Sequence, residues 1–333
     1  MGDRDVTVTV ARHCYSMYGV RVTSDIPFAF ADAWESDAVR SLAEVTVVDA
    51  DGGDFTSFAA VRMNGGQFLF DEAADGTAYL RWPRLYEFAL APDGSRIACR
   101  PLDGCDVSVL QNFLFGQVLA LALVRQGIEP LHAAAVVLDC SAVAFLGDCT
   151  YGKSTLLASF TEAGYRAITD DMLILDRRGG DLRAMAGSGR VKLQPDSARL
   201  FFDRGDGAPL TPFTQKRSFA IDRSMRQGGS VPLQLLYVLP TPAERDVIRS
   251  IDIRPMSRAA AVRELVANTF TTHIVSRERL ARQFEHATSV ASRVDTFELR
   301  YPTGLDHLPA IRRAIVEHSR QWIARPTPTT ESL

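Results

Sequence analysis

Several features that mark large protein classes are scarce or missing in these 333 residues. Cysteine is one: Cys14, Cys99, Cys105, Cys140 and Cys149 are odd in number and contain no C-x-x-C pair. That pattern excludes a disulfide framework and a cysteine-built zinc site, and without a secretory segment ahead of it the expected compartment is the reducing cytoplasm. A basic block is also missing. The formal net charge is −3 and the lysines and arginines are scattered, so neither nucleic acid nor a membrane is an expected partner, and basic side chains should act locally, beside phosphates. Long apolar runs are lacking too. The nearest, residues 107–124, is interrupted by Gln111, Asn112, Gly116 and Gln117. It falls short of the roughly 18 residues that a membrane span needs and reads as a buried helix.

What remains is ample core material, 46% hydrophobic, enough for one large or two modest domains. Residues 6–102 carry short β-type runs between turn signals: 55–63 before Asn64-Gly65-Gly66, then 67–70, 77–82, and 86–90 before Pro92-Asp93-Gly94. They predict an antiparallel, β-rich N-terminal domain over 1–105 with no catalytic constellation, in which Trp34, Trp82 and Tyr86 are core or interface aromatics. An apolar helix over 106–126, within a connecting segment 106–128, leads into a second domain at 129–324. A Pro- and Thr-rich tail at 325–333 is expected to be disordered. In the second domain, 131–138 and 142–146 read as a hairpin about Asp139-Cys140-Ser141. Strands follow at 167–169, 172–175, 233–239 and 296–301, with helices at 153–163, 258–267, 277–291 and 308–320.

The hairpin delivers Gly147-Asp148-Cys149-Thr150-Tyr151-Gly152-Lys153-Ser154, followed by Thr155, which fits the phosphate-loop pattern G-x-x-x-x-G-K-[ST] between a buried strand and a helix. Backbone N–H groups of such a loop, together with the following helix N-terminus, make an anion site. Lys153 supplies the cation and Ser154 a magnesium ligand, so ATP and Mg2+ are the expected ligands. The strand at 167–169 ends at Asp170-Asp171. Successive side chains of a strand point to opposite faces, so this pair divides into a metal-side and a substrate-side carboxylate, the second half of a phosphoryl-transfer site.

Leu131-His132-Ala133, the hairpin, Gly147 to Thr155, and Gly164-Tyr165-Arg166-Ala167-Ile168-Thr169-Asp170-Asp171 resemble, in order and spacing, the catalytic domain of the HPr kinase/phosphorylase family. The resemblance is specific over residues 132–175. It implies an α/β fold, a P-loop kinase core on a mixed sheet related to ATP-dependent phosphoenolpyruvate carboxykinases, and phosphorylation of a serine hydroxyl on a protein. It also implies roles: residues 147–154 hold the phosphates, Asp170 is the general base, Asp171 a magnesium ligand, and His132 part of the charge network around the base. Two departures stand out. Cys149-Thr150 replace Ser-Gly, which restricts the loop backbone. Gly187-Ser188-Gly189-Arg190-Val191-Lys192-Leu193-Gln194-Pro195 stands where the glycine-rich signature tied to phosphorylase action would be. The layout is similar to the divergent members that accompany peptide natural products, notably the lasso-peptide kinases, whose acceptor is a serine hydroxyl of a ribosomal precursor peptide.

Among basic residues able to approach the transferred phosphate, Arg190, Lys192, Lys216 and Arg217, the sequence singles out Lys192 and Arg217. Two other readings use the same residues: a kinase of a small hydroxylated metabolite, and a nucleotide-sensing module without transfer. The sensor reading leaves the aspartate pair without a task. The acceptor's identity and a homo-oligomeric state are not encoded legibly.

Overall fold

The computed structural model describes residues 12–29, 32–33, 41–50, 54–55, 58, 68–103, 105, 107–202, 207–211, 213–270 and 276–325. Trp34, most of the 55–63 run and the tail beyond 325 lie outside the described residues. The chain divides into two compact units, Met1–Ile128 and Glu129–Leu333.

In the first unit the described strands are β1 (His13–Met17), β2 (Val20–Ser24), β3 (Asp32–Ala33), β4 (Ala43–Asp49), β5 (Leu69–Glu72), β6 (Ala78–Trp82), β7 (Tyr86–Leu90) and β8 (Arg96–Pro101). They form one sheet in the order β3-β1-β2-β4-β8-β7-β6-β5. The sheet is mixed, which corrects the antiparallel expectation: β2 pairs with β4, and β4 with β8, in parallel. Turn signals report hairpins, whereas a parallel pair is joined by a long connection that leaves no local mark. Phe55 and Phe58 stand in 3₁₀ turns, not in a strand. Both rings lie against Tyr79, at 6.2 and 4.7 Å.

The apolar segment after β8 is not one regular helix. α1 (Val107–Phe113) and α2 (Leu119–Arg125) are joined by a π turn over Leu114–Val118, where Gly116 leaves helical geometry at φ −110°, ψ −107°. The segment packs within the first unit: Phe113 lies 4.5 Å from the Trp82 ring, and the Arg125 guanidinium donates to the carbonyls of Gly76 and Ala91 at 2.7 and 2.9 Å. Among the described residues no helix is long and apolar enough to cross a membrane.

The second unit is built on β9 (Ala133–Leu138), β10 (Ser141–Leu146), α3 (Lys153–Glu162), β11 (Ala167–Thr169), β12 (Leu175–Asp176), β13 (Arg183–Met185), β14 (Arg190–Leu193), α4 (Pro195–Phe201), β15 (Ala208–Pro209), β16 (Arg217–Ala220), β17 (Ser230–Val238), α5 (Pro242–Val247), β18 (Asp252–Pro255), α6 (Arg258–Ala267), α7 (Arg277–Ala291), β19 (Asp295–Arg300) and α8 (Leu308–Ile323). Its main sheet runs β11-β9-β10-β17-β13-β12, with β19 paired to β17 and β18 to β19. β10, β17 and β19 are parallel and the remaining pairs antiparallel, so this is a mixed α/β unit. A small second sheet, β14-β16-β15, lies apart from it.

Strand alternation splits the core between two faces. Val143 and Phe145 of β10 and Leu235 and Tyr237 of β17 pack with Leu156 and Phe160 of α3 and Ile311 and Ile315 of α8. Ala142, Ala144, Leu146, Leu233 and Leu236 pack with Ala261 and Leu265 of α6 and Ala287 and Val290 of α7. The register between β10 and β17 skips Gln234, a bulge that changes which face the following β17 residues serve.

One polar group holds the α7 side. Glu129 and Arg279, each with 2% of the side chain exposed, pair at 3.2 Å, and the same guanidinium donates to the Phe270 carbonyl at 2.6 Å. Burial pushes the Glu129 carboxyl up, against the guanidiniums of Arg279 and Arg282. Removing one member of such a pair leaves the other buried without a partner. Arg279→Ala is therefore expected to destabilise the second unit by about 3 kcal/mol or more, read as a lowered denaturant midpoint. A midpoint equal to wild type would show that the pair does not hold the fold.

Candidate active site

The loop after β10 takes its shape from two glycines and one strained residue. Gly147 has φ +155°, and a Cβ there would sit 2.8 Å from the Tyr151 ring. Gly152, at φ +97°, is the residue from which α3 starts. Between them Thr150 adopts φ +74°, a left-handed conformation that is a true outlier for a β-branched residue. The replacement expected to restrict the loop has thus kept a glycine-like path. α3 begins without a side-chain cap or an acidic residue in its first turn, leaving its first N–H groups to face an anion.

Because β10, β17 and β19 are parallel, the segments that leave their C-terminal ends gather at this loop, the usual ligand edge of an α/β sheet. Arg245, on α5 after β17, donates from Nη2 to the Thr150 carbonyl at 3.1 Å. Tyr301, just past β19, donates its hydroxyl to the Tyr151 carbonyl at 3.1 Å. Sequence reasoning missed both residues. The available signal was topological, since a segment following the parallel neighbour of a phosphate-loop strand must pass the loop.

Lys153 is buried, and its Nζ donates to the carbonyls of Gly147 and Asp148 at 2.6 and 2.9 Å. Burial pushes its pKa down to about 8, against Asp170 and Asp171, which favour the ammonium. Ser154 donates its hydroxyl to Asp170 Oδ1 at 2.8 Å, and Oδ2 of the same carboxylate accepts the Lys192 backbone N–H at 2.9 Å. Asp170 is 4% exposed, and its pKa is raised first by burial and then by the neighbouring Asp171.

Asp171 points elsewhere. Its backbone has φ +76°, and the Met172 N–H donates to the Asp170 carbonyl at 3.0 Å across it, a γ-turn of the rare, strained kind. Its side chain, 24% exposed, forms an ion pair with Lys192 Nζ and lies 3.6 Å from His132 Nδ1. Burial works to raise the Asp171 pKa, but the Lys192 ammonium, with Arg190 behind it, outweighs it and holds the carboxyl well below the usual range. Burial pushes His132 down to about 4, so at neutral pH it is an uncharged imidazole. It is fixed by its backbone N–H on the Asn268 carbonyl at 2.6 Å and by its ring 5.2 Å from Phe270.

The structure therefore gathers His132, residues 147–154, Asp170, Asp171 and Lys192. Asp170, expected as the base, accepts from Ser154, and Asp171, expected as the metal ligand, faces Lys192 and His132. Strand alternation separates the two residues but does not say which side is which. His132, expected in the charge network around the base, stands beside Asp171 as a neutral ring. Two further expected ligand residues have protein partners. The Thr155 hydroxyl lies 3.0 Å from Ser197 on α4, and the Arg217 guanidinium donates to the Gly207 carbonyl at 2.7 Å. The charge of Lys216 acts on Lys153, lowering its pKa slightly beside the larger effect of burial.

No family model matches this chain, and no curated protein matches it. Among solved structures, the HPr(Ser) kinase/phosphatase from Coxiella burnetii is similar over 59% of this chain and 99% of that one, at 16% identity and a TM-score of 0.33.

The Lys153 ammonium is the group through which pH should reach this site. An anion on the loop favours the charged form, so affinity is full below a pKa of about 8 in the free protein and falls as pH rises through it. ATP affinity should drop about tenfold between about pH 7 and about pH 9, and Lys153→Arg, which does not titrate there, should flatten the profile. Titrations that stay flat in wild type would remove Lys153 from the phosphate site.

Proposed function

We propose that this protein is an ATP-dependent kinase that uses magnesium and transfers the γ-phosphoryl group to a serine hydroxyl of a peptide or protein. The observation that carries the reading is the Ser154–Asp170 hydrogen bond beneath a G-x-x-x-x-G-K-S loop, with a second, strained carboxylate one residue further on. A phosphate-loop serine paired with a strand-end aspartate is the oxygen donor set that holds magnesium in P-loop enzymes. Ser154 Oγ and Asp170 fit that ion, which supplies charge neutralisation on the β- and γ-phosphates when bound.

The chain's own residues do the rest. Backbone N–H groups of residues 147–154 and the Lys153 ammonium bind and orient the phosphates. The acceptor hydroxyl gives its proton to the Asp171 carboxylate as its oxygen forms the new bond to phosphorus. The bond from phosphorus to the β–γ bridging oxygen breaks, and ADP leaves. Paired with Lys192, Asp171 is a weak base. As the lysine turns to the transferred phosphoryl oxygens, the carboxylate loses its counter-charge and its basicity rises. Neutral His132 positions Asp171 without competing for the proton. Strain concentrated at Asp171 is consistent with an over-determined functional carboxylate. The serine acceptor, and its place on a ribosomal precursor peptide of the lasso type, rest on the resemblance over residues 132–175.

Purified protein incubated with labelled ATP, magnesium and candidate peptides should yield a phosphorylated product, and Lys153→Ala should abolish it. Asp171→Asn should slow single-turnover transfer by about 10² to 10⁴-fold with ATP binding retained, the size expected for loss of a general base. Asp170→Asn should instead raise the magnesium requirement. The reverse pattern would restore the opposite assignment. Tight ATP binding with no transfer to any peptide, protein or hydroxylated metabolite would favour a sensor.

A further inference from the structure

Thr150 holds a left-handed backbone conformation that threonine disfavours, and nothing in its own side chain explains how. The contacts that do are made from outside the loop. Arg245 Nη2 holds the Thr150 carbonyl, the Tyr301 hydroxyl holds the next carbonyl along, and the guanidinium lies 5.8 Å from the centre of the Tyr301 ring. Arg245 Nη1 and the Tyr301 hydroxyl also approach Gly152 so closely that each would stand 3.3 Å from a Cβ there. The two side chains thus cover the half of the loop that runs from Thr150 into α3.

The brace is itself rigidly mounted. α5 starts with a reciprocal cap: the Glu244 N–H donates to Thr241 Oγ1 at 3.1 Å and the Thr241 N–H to Glu244 Oε2 at 2.8 Å. The Thr303 N–H then donates to the Arg245 carbonyl at 3.3 Å, and its hydroxyl to Asp246 at 2.9 Å. These bonds tie the segment carrying Tyr301 to the helix carrying Arg245. Three stretches of chain, far apart in sequence, are locked around one strained residue.

We propose that Arg245 is a positioning residue for nucleotide binding, acting through the Thr150 carbonyl to hold the phosphate loop in its left-handed, phosphate-facing path. The proposal rests on the reading of residues 147–154 as the ATP site. Without Arg245 the loop relaxes toward conformations that threonine prefers, and part of the ATP binding energy goes into restoring the path. Affinity falls while transfer from the bound state persists. A glycine at position 150 has no such preference and makes the brace dispensable.

The test measures the ATP dissociation constant with magnesium, and transfer at saturating ATP, for wild type, Arg245→Ala, Arg245→Ala with Thr150→Gly, and Lys153→Ala. Arg245→Ala should weaken ATP about tenfold, equivalent to about 1.4 kcal/mol, with little change in transfer at saturation. Adding Thr150→Gly should recover most of that loss, a rescue that general destabilisation or a lost direct contact with the nucleotide would not show. Affinity within twofold of wild type for Arg245→Ala, or a loss that glycine does not rescue, overturns the proposal. If Lys153→Ala binds ATP as wild type does, the loop is not the ATP site, and both readings fall together. If Lys153→Ala abolishes binding while Arg245→Ala leaves it intact, only the brace is wrong.

Discussion

A buried carboxylate needs hydrogen-bond partners, and at the end of β11 that requirement falls on Asp170. One oxygen accepts from Ser154 at the start of α3 and the other from the Lys192 backbone in β14. Three segments, the end of β11, the first turn of α3 and the middle of β14, therefore meet at one side chain. Leaving either oxygen unpaired would cost about 1–3 kcal/mol or more. The small sheet carrying β14 stays beside the phosphate loop because Val191 and Leu193 anchor it in the same core as α3. That placement brings the Lys192 ammonium to Asp171.

The two aspartates then acquire opposite electrostatics from adjacent positions. Among the described residues Asp170 accepts only from a hydroxyl and a backbone N–H, and burial and its neighbour's charge raise its pKa; Asp171 has Lys192 and is held ionised. Environments that push two carboxylates apart are the usual basis for giving them different chemical tasks. The γ-turn at Asp171 makes the separation geometric as well, because it turns the second side chain away from the Ser154 side and toward His132.

How much of this was legible depended on the range of the signal. The hairpin, the loop over 147–152 and α3 are contiguous, and their pattern of apolar run, glycines and lysine is local, so their places in the chain were legible. α6 and α7 were legible for the same reason, each an unbroken run of helix-forming residues entered from a capping serine, with amphipathic periodicity clear in α7. The parallel pairing of β2, β4 and β8 was not, because its partners are separated by long stretches that carry no pairing signal. The orientation of the aspartate pair was also hidden: alternation fixes that two neighbours diverge, but the Ser154 hydroxyl that decides the matter comes from another element. Arg217 meets a similar gap: it lies in β16, and its guanidinium donates to the Gly207 carbonyl, a partner ten residues away that no local pattern marks.

Arg245 and Tyr301 show the same limit from the other side. Nothing in Pro-Ala-Glu-Arg-Asp or in Arg-Tyr-Pro-Thr distinguishes them from an ordinary surface arginine and core tyrosine. Their importance arises only when β10, β17 and β19 are laid parallel, so that the exits of three strands crowd onto one loop. Once that topology is fixed, a non-glycine residue in the loop becomes tolerable, because neighbouring exits can supply the restraint that a glycine would have made unnecessary. The strained Thr150 and the distant Arg245 are then two parts of one arrangement. The local sequence shows a threonine between two glycines, and only the fold reveals what restrains it.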